Sequence, residues 1–140
     1  MEDLVKRIER LEKLVGVEPN GRFKEDGLWV LDKNTKLYWR KKPVPVKMSW
    51  YKACEEVRRR KKGVRLPTIK ELLSLIDYSQ CCPALPKGHP FGGVLPSFYW
   101  SATTSANNTD HAWYINIYYG DVYNGTKSYD YYVWPVKDKL

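Results

Sequence analysis

The side chains with chemistry to offer crowd into residues 98–137, FYWSATTSANNTDHAWYINIYYGDVYNGTKSYDYYVWPVK. Two sets interleave there. One is apolar and structural in type: Trp100, Trp113, Ile115, Ile117, Val122, Val133 and Val136. The other is a dense run of Tyr, Asn, Asp, Ser, Gly, Thr and His. Tyr offers wide contact area with few torsions to freeze, and Ser, Gly and Asn adapt their hydrogen bonds, which is why recognition loops of antibodies draw on the same set. Alternation with apolar residues predicts a rigid sheet presenting a binding surface. The chemistry expected is recognition, not catalysis.

Catalytic alternatives find less support in the residues. No Ser-His-Asp order, paired-carboxylate motif or Gly-rich phosphate loop is present. Asp110 and His111 could make a general-base pair, but neighbours on a strand point to opposite faces. Cys81 and Cys82 lie near His89, yet a tetrahedral metal site needs a fourth ligand that the sequence does not place, so no metal and no cofactor are predicted. Three cysteines, Cys54, Cys81 and Cys82, are too few for a disulfide framework, and buried thiols in a reducing compartment are expected.

A length of 140 residues fits one domain with a short appendage, and 43% hydrophobic residues suffice for a core. The net charge of +8 is unevenly spread: residues 1–70 hold 20 Lys/Arg against 10 Asp/Glu, and residues 71–140 hold 4 against 6. A nucleic-acid binder sets its cations beside its stacking aromatics. Here Lys127 is the only Lys or Arg between Phe98 and Val136. Nucleic acid is therefore not the expected partner, and the basic half reads as a solvated face, with nucleic-acid binding through Lys41-Lys42 and residues 58–62 as the alternative. No apolar run approaches the roughly 20 residues of a membrane span. The charged start MEDLVKRIERLEKLV lacks a signal-peptide core, which predicts a cytoplasmic or virion-associated protein. One Gln among many Lys, Arg and Glu suits a thermophile.

The elements that must position the tyrosines follow from pattern. Leu4, Ile8, Leu11 and Val15 form an a/d seam on a short helix over 3–15. Two readings of that seam stand: it packs on its own domain, or it joins copies into an oligomer that multiplies weak contacts. Residues 1–20 thus read as helix and linker, and 21–140 as the domain. GLWVL and KLYWR predict a hairpin over 27–40, and two prolines make 41–45 a loop. Ser49 caps a helix reaching about Lys61, with Trp50, Ala53, Cys54 and Val57 on one face. Thr68 and Glu71 have capping-box spacing for a second helix ending near Tyr78. Residues 79–97, with four prolines and three glycines, form a long irregular loop. Strands follow at about 98–104, 111–117, 121–123 and 130–136.

This order resembles the C-type lectin fold in its formylglycine-generating-enzyme-like version, and more narrowly the Lcl C-terminal domain family. The resemblance is carried by Gly27-Leu28-Trp29, Trp50 with Ala53, Arg65-Leu66-Pro67-Thr68 with Glu71-Leu72, Tyr99-Trp100-Ser101, Ala112-Trp113, Gly120 and Tyr132-Val133, spanning residues 27–136. It implies an α+β fold of two helices on small antiparallel sheets with long irregular loops. The oxidase of this fold needs a reactive cysteine pair in its cleft, and residues 98–137 contain no cysteine. Glu18-Pro19-Asn20 matches the sugar triplet of calcium lectins but lies in the linker without a Trp-Asn-Asp companion, so no calcium is expected.

The chain is also similar to the variable proteins of diversity-generating retroelements, phage or bacterial, whose surfaces are hypervariable. In those systems adenines of a template are randomised during reverse transcription, and the copy replaces the 3′ end of the gene. AAY codons then yield a mixture including Tyr, Asp, Ser, Gly, Thr, His and Asn. The resemblance implies a fixed frame of Trp113, Ile115, Asn116, Ile117, Gly120, Val122, Lys127, Tyr132 and Val133. The variable, ligand-binding positions would be Asn107, Asn108, Asp110, His111, Tyr114, Tyr118, Tyr119, Asp121, Tyr123, Asn124, Gly125, Thr126, Ser128, Tyr129, Asp130 and Tyr131. All sixteen are types that route reaches. Tyrosines would supply contact area, and Asn108, Asp110, His111 and Asp121 polar specificity, toward a protein or glycan ligand. A non-diversified carbohydrate-binding or adhesin-like domain of the same family is the alternative. Trp134 departs from the pattern, standing where such proteins carry an arginine before Pro135-Val136.

Overall fold

The computed structural model describes residues 21–140, with Leu4 and Lys6 ahead of them. The predicted seam over 3–15, its oligomer role and the linker to residue 20 otherwise lie outside the described residues.

The hairpin forms as the alternation demands. Strands β2 (Trp29–Asp32) and β3 (Leu37–Arg40) pair antiparallel and turn Val30, Asp32, Leu37 and Trp39 inward. A further strand, β1 (Phe23–Asp26), pairs with β2; its charged FKED sequence, mostly exposed, hid it from pattern reading. Buried Asp32 is satisfied by a two-pronged bond from Arg22, whose guanidinium also donates to the Ser74 carbonyl. The chain's last strand, β9 (Val136–Lys137), returns to the open edge of β3, giving the order β1-β2-β3-β9.

Residues 41–45 are not all loop. Strand β4 (Val44–Met48) includes Pro45. Pro45 is tolerated because β4 is an edge strand that pairs with its neighbour only at Val44 and Met48, across an irregularity. Helix α1 (Trp50–Arg59) starts at the Ser49 cap and buries Ala53 and Val57. Helix α2 (Ile69–Ser74) carries the full capping box: Thr68 Oγ1 accepts from the Glu71 amide, and Glu71 Oε1 from the Thr68 amide at 2.8 Å. It stops four residues short of Tyr78, because the chain turns there and the Asp77 amide donates to the Ala84 carbonyl.

The second sheet holds β5 (Phe98–Thr104), β6 (His111–Asn116), β7 (Asp121–Thr126) and β8 (Tyr131–Val133), in the order β4-β8-β5-β6-β7. Only β5 and β8 run parallel. The stretch predicted as one strand over 130–136 divides at Trp134-Pro135, with β8 in this sheet and β9 in the other. Two cores result. One gathers Val30, Trp39, Leu72, Leu75, Tyr99, Ile115, Ile117, Trp134 and Val136; the other lies against α1 and gathers Val44, Ala53, Val57, Trp100, Ala112 and Val133.

Glu71 has a second duty that makes it a test of the fold. Its two oxygens accept from Arg65 at 2.7 and 2.9 Å, and Arg65 reaches Asp138 at 3.0 Å. Burial opposes the Glu71 charge, but Arg65 and the Thr68 amide outweigh it, and the carboxyl titrates below its ordinary range. Arg65 likewise depresses Asp138. A carboxyl depressed in the folded state contributes stability above its unfolded pKa, and that contribution is lost as pH falls through the folded value. Stability should therefore decline as pH drops below about 4.5, the ordinary Glu value, and Glu71→Gln should flatten that decline. Glu71→Ala should cost about 2 kcal/mol at neutral pH in urea unfolding, from a lost cap and a charged hydrogen bond.

Candidate recognition surface

Strand register brings four of the predicted tyrosines together. Tyr114 stands opposite Tyr123 on β7 and opposite Trp100 on β5. The Tyr114 ring lies 4.4 Å from Tyr131 and 5.8 Å from Tyr123, and Tyr131 lies 6.3 Å from Tyr129. Buried Trp100 backs the group at 4.6 Å from Tyr131. The patch grades outward, from half-buried Tyr114 and Tyr131 to exposed Tyr123 and Tyr129. Phe98, not among the predicted site residues, edges both Tyr114 and Tyr131 at 5.2 and 5.3 Å. Its two-residue spacing from Trp100 along β5 puts both on one face.

Gly125 is placed differently from the other fifteen candidates. It is buried, and a Cβ there would meet Tyr114 Cε1 at 3.0 Å. It makes room for the ring and does not itself offer contact surface.

The remaining candidates form separate groups. His111 Nδ1 lies 2.9 Å from Asn124 Oδ1, and its Nε2 lies 3.5 Å from Thr126 Oγ1. His111 thus engages β7, not Asp110, which sits in the turn ahead of β6. Asn107, Asn108 and Asp110 lie exposed between β5 and β6, and Ser128, Tyr129 and Asp130 between β7 and β8. These two connections meet where the Lys127 amide donates to the Asp110 carbonyl at 2.9 Å. Tyr118 and Tyr119 occupy the turn between β6 and β7; their rings contact each other and none of the four patch tyrosines.

One phenol of the patch is held as a donor. Tyr123 Oη donates to Asp121 Oδ2 at 3.0 Å, and this carboxylate raises the Tyr123 pKa. Burial, then the Tyr114 hydroxyl, raises that of Tyr131. Below the surface the frame is anchored. Ile115 and Ile117 are fully buried. Lys127, also buried, sets its ammonium 4.1 Å from the Trp50 ring centre, and the Trp50 indole donates to the Ser101 carbonyl. The one Lys or Arg between Phe98 and Val136 is therefore spent on packing.

Cys81 and Cys82 correct the expectation of free thiols: they form a disulfide with each other and are exposed. Adjacent cysteines need no fold to bring them together, so cysteine count was a poor guide. The bond adjoins Tyr118, whose carbonyl accepts from the Cys82 amide at 2.9 Å. Cys54 stays free and half-buried, with burial raising its thiol pKa. Unfolding in iodoacetamide without reductant should label one cysteine, and after reduction three, counted by intact mass; three labels without reductant would contradict the pairing.

Among the described residues no group of three or more His, Cys, Asp or Glu could hold a metal, and no helix is long and apolar enough to cross a membrane.

Two short helices, two small sheets with one parallel strand pair, and long irregular loops define an α+β domain of the C-type-lectin-like kind. The family model of the Lcl C-terminal domain matches residues 28–137, and the chain belongs to that family. No curated protein matches it.

Proposed function

We propose that this domain is a non-catalytic ligand-binding module whose recognition surface is borne by β6, β7 and their connecting loops, and that the surface is diversified by a retroelement. One observation carries the reading. Of the sixteen candidate positions ten are exposed, five half-buried and only Gly125 buried, while Ile115, Ile117, Gly120, Lys127 and Val133 of the frame are buried. Side chains can thus change without emptying the core, which is what a diversified surface requires. The tyrosines supply rigid amphipathic contact area, and Asn, Asp and His supply polar choice. Asp110, Asp121 and Asp130 are exposed with no exposed Lys or Arg among the candidates, so the ligand is a neutral or cationic protein or glycan surface, not a polyanion.

The test is to sequence this gene from many members of one population. Variation should concentrate at the exposed candidates and spare the frame. Residue 125 should depart from Gly only in copies whose residue 114 is smaller than Tyr, because of the 3.0 Å contact. Uniform copies, or variation spread evenly over residues 21–140, would reject diversification and leave a fixed binding domain of the same family.

A further inference from the structure

The two basic segments that the sequence separates, Lys41-Lys42 and residues 58–62, meet in the fold. A cavity of about 370 Å³ is lined by Arg40, Lys41, Lys42 and Arg60, with Leu28, Pro43, Val44, Pro45 and Gly93 as its other walls. No Asp or Glu lines it, and none of the sixteen candidate surface residues does. Two of the four cations have carboxylate partners: Lys41 pairs with Glu25 at 2.6 Å, and Arg60 with Glu56 at 3.2 Å. Arg40 and Lys42 have none among the described residues. The Arg60 Nε is buried with no hydrogen-bond partner, an unusual state for a guanidinium donor. Lys137 is buried too, its ammonium 4.2 Å from the Trp29 ring centre, and Arg40 stands over the same ring at 5.7 Å. Burial first, and then Arg60, lowers the Arg40 pKa, as expected of like charges gathered without a counter-ion.

Helix-end electrostatics explain cations at the end of α1. They do not explain why Arg40 and Lys42, from the other side, face the same space. We propose that this cavity is a second binding site, for the dianionic head of a phosphate monoester, with its organic part against Leu28, Pro43 and Pro45. The charge count selects the class. Two uncompensated cations match a monoester's double charge, whereas a sulfate ester or a nucleic-acid phosphodiester carries one. Arginine forks suit tetrahedral oxyanions, and Arg40 and Arg60 both line the cavity.

Calorimetric titration of the full chain with phenyl phosphate and with phenyl sulfate, at pH 8 and equal ionic strength, tests this. Phenyl phosphate should bind and phenyl sulfate should bind at least about tenfold more weakly, the worth of one charge-assisted hydrogen bond. Lowering the pH to 5, where the monoester keeps about one charge, should weaken phenyl phosphate toward the sulfate. The double variant Arg40→Gln/Lys42→Gln should lose the phosphate preference, while Tyr123→Ser should keep it. Should the double variant fail to fold, Lys42→Gln alone, at an exposed position, carries the same test. No binding, equal binding of the two esters, or unchanged preference in the variant would each overturn the proposal. None of these outcomes bears on the tyrosine surface.

Discussion

Trp134→Ala should cost about 3–5 kcal/mol, the usual toll for deleting a fully buried tryptophan. Trp134 is 0% exposed, and its indole N–H donates to the Arg40 carbonyl at 2.8 Å. Its ring meets Phe91 at 4.9 Å, Trp39 at 5.3 Å and Tyr99 at 5.8 Å. It stands in the two-residue passage from β8 to β9, where the chain leaves one sheet for the other, so it joins both sheets to one core. Domains of this size have about 5–15 kcal/mol in total, so most of the stability should go. Trp134→Phe keeps ring contacts but leaves the Arg40 carbonyl without its donor, and should cost about 1–3 kcal/mol. Urea midpoints followed by circular dichroism read both. An alanine variant within 1 kcal/mol of the parent would refute this placement of Trp134.

The second large effect lies at Gly120, between Tyr119 and Asp121. Its φ of +86° is the left-handed region, and a Cβ there would come 2.7 Å from Ile76 Cγ2 and 2.9 Å from Tyr78 Cε1. Gly120→Val meets both penalties, backbone strain of about 1–2 kcal/mol and overpacking of about 1–3 kcal/mol. Melting temperature should fall accordingly. Gly120→Ala paired with Tyr78→Ala isolates the terms. Removing the tyrosyl ring relieves one close contact and also deletes the bond from Tyr78 Oη to the Gly120 carbonyl, while strain persists. A Gly120→Val protein melting with the parent would mean that this turn is not held as described.

The fold was legible where periodicity and capping speak locally. The Trp-, Tyr- and branched-residue runs GLWVL and KLYWR marked the hairpin, and Thr68 with Glu71 a cap whose two bonds both form. The run 98–104 is a strand at those limits. What stayed hidden depends on partners distant in sequence. Pro45 reads as a breaker until β4 is known to be an edge. FKED has no apolar alternation, and β1 exists because β2 offers it a ladder. Val133 and Val136 read as one strand, and only the competition of two sheets for them divides it. At the site, residue types follow exposure only in part: ten of the sixteen candidates are exposed, and His111, Tyr114, Tyr118, Thr126 and Tyr131 are half-buried. They could not say that Gly125 serves Tyr114 by being small, since that relation runs between strands.

The position of β9 has a consequence for biosynthesis. The sheet formed from the first third of the domain is completed by Val136 and Lys137, from the other end of the domain. The nascent protein therefore cannot close this sheet until Val136 and Lys137 have been made and have emerged from the ribosome. A frameshift anywhere upstream forfeits the closing strand as well as the altered side chains. Such products would stay open to proteolysis, so the architecture itself favours chains read in frame through Val136.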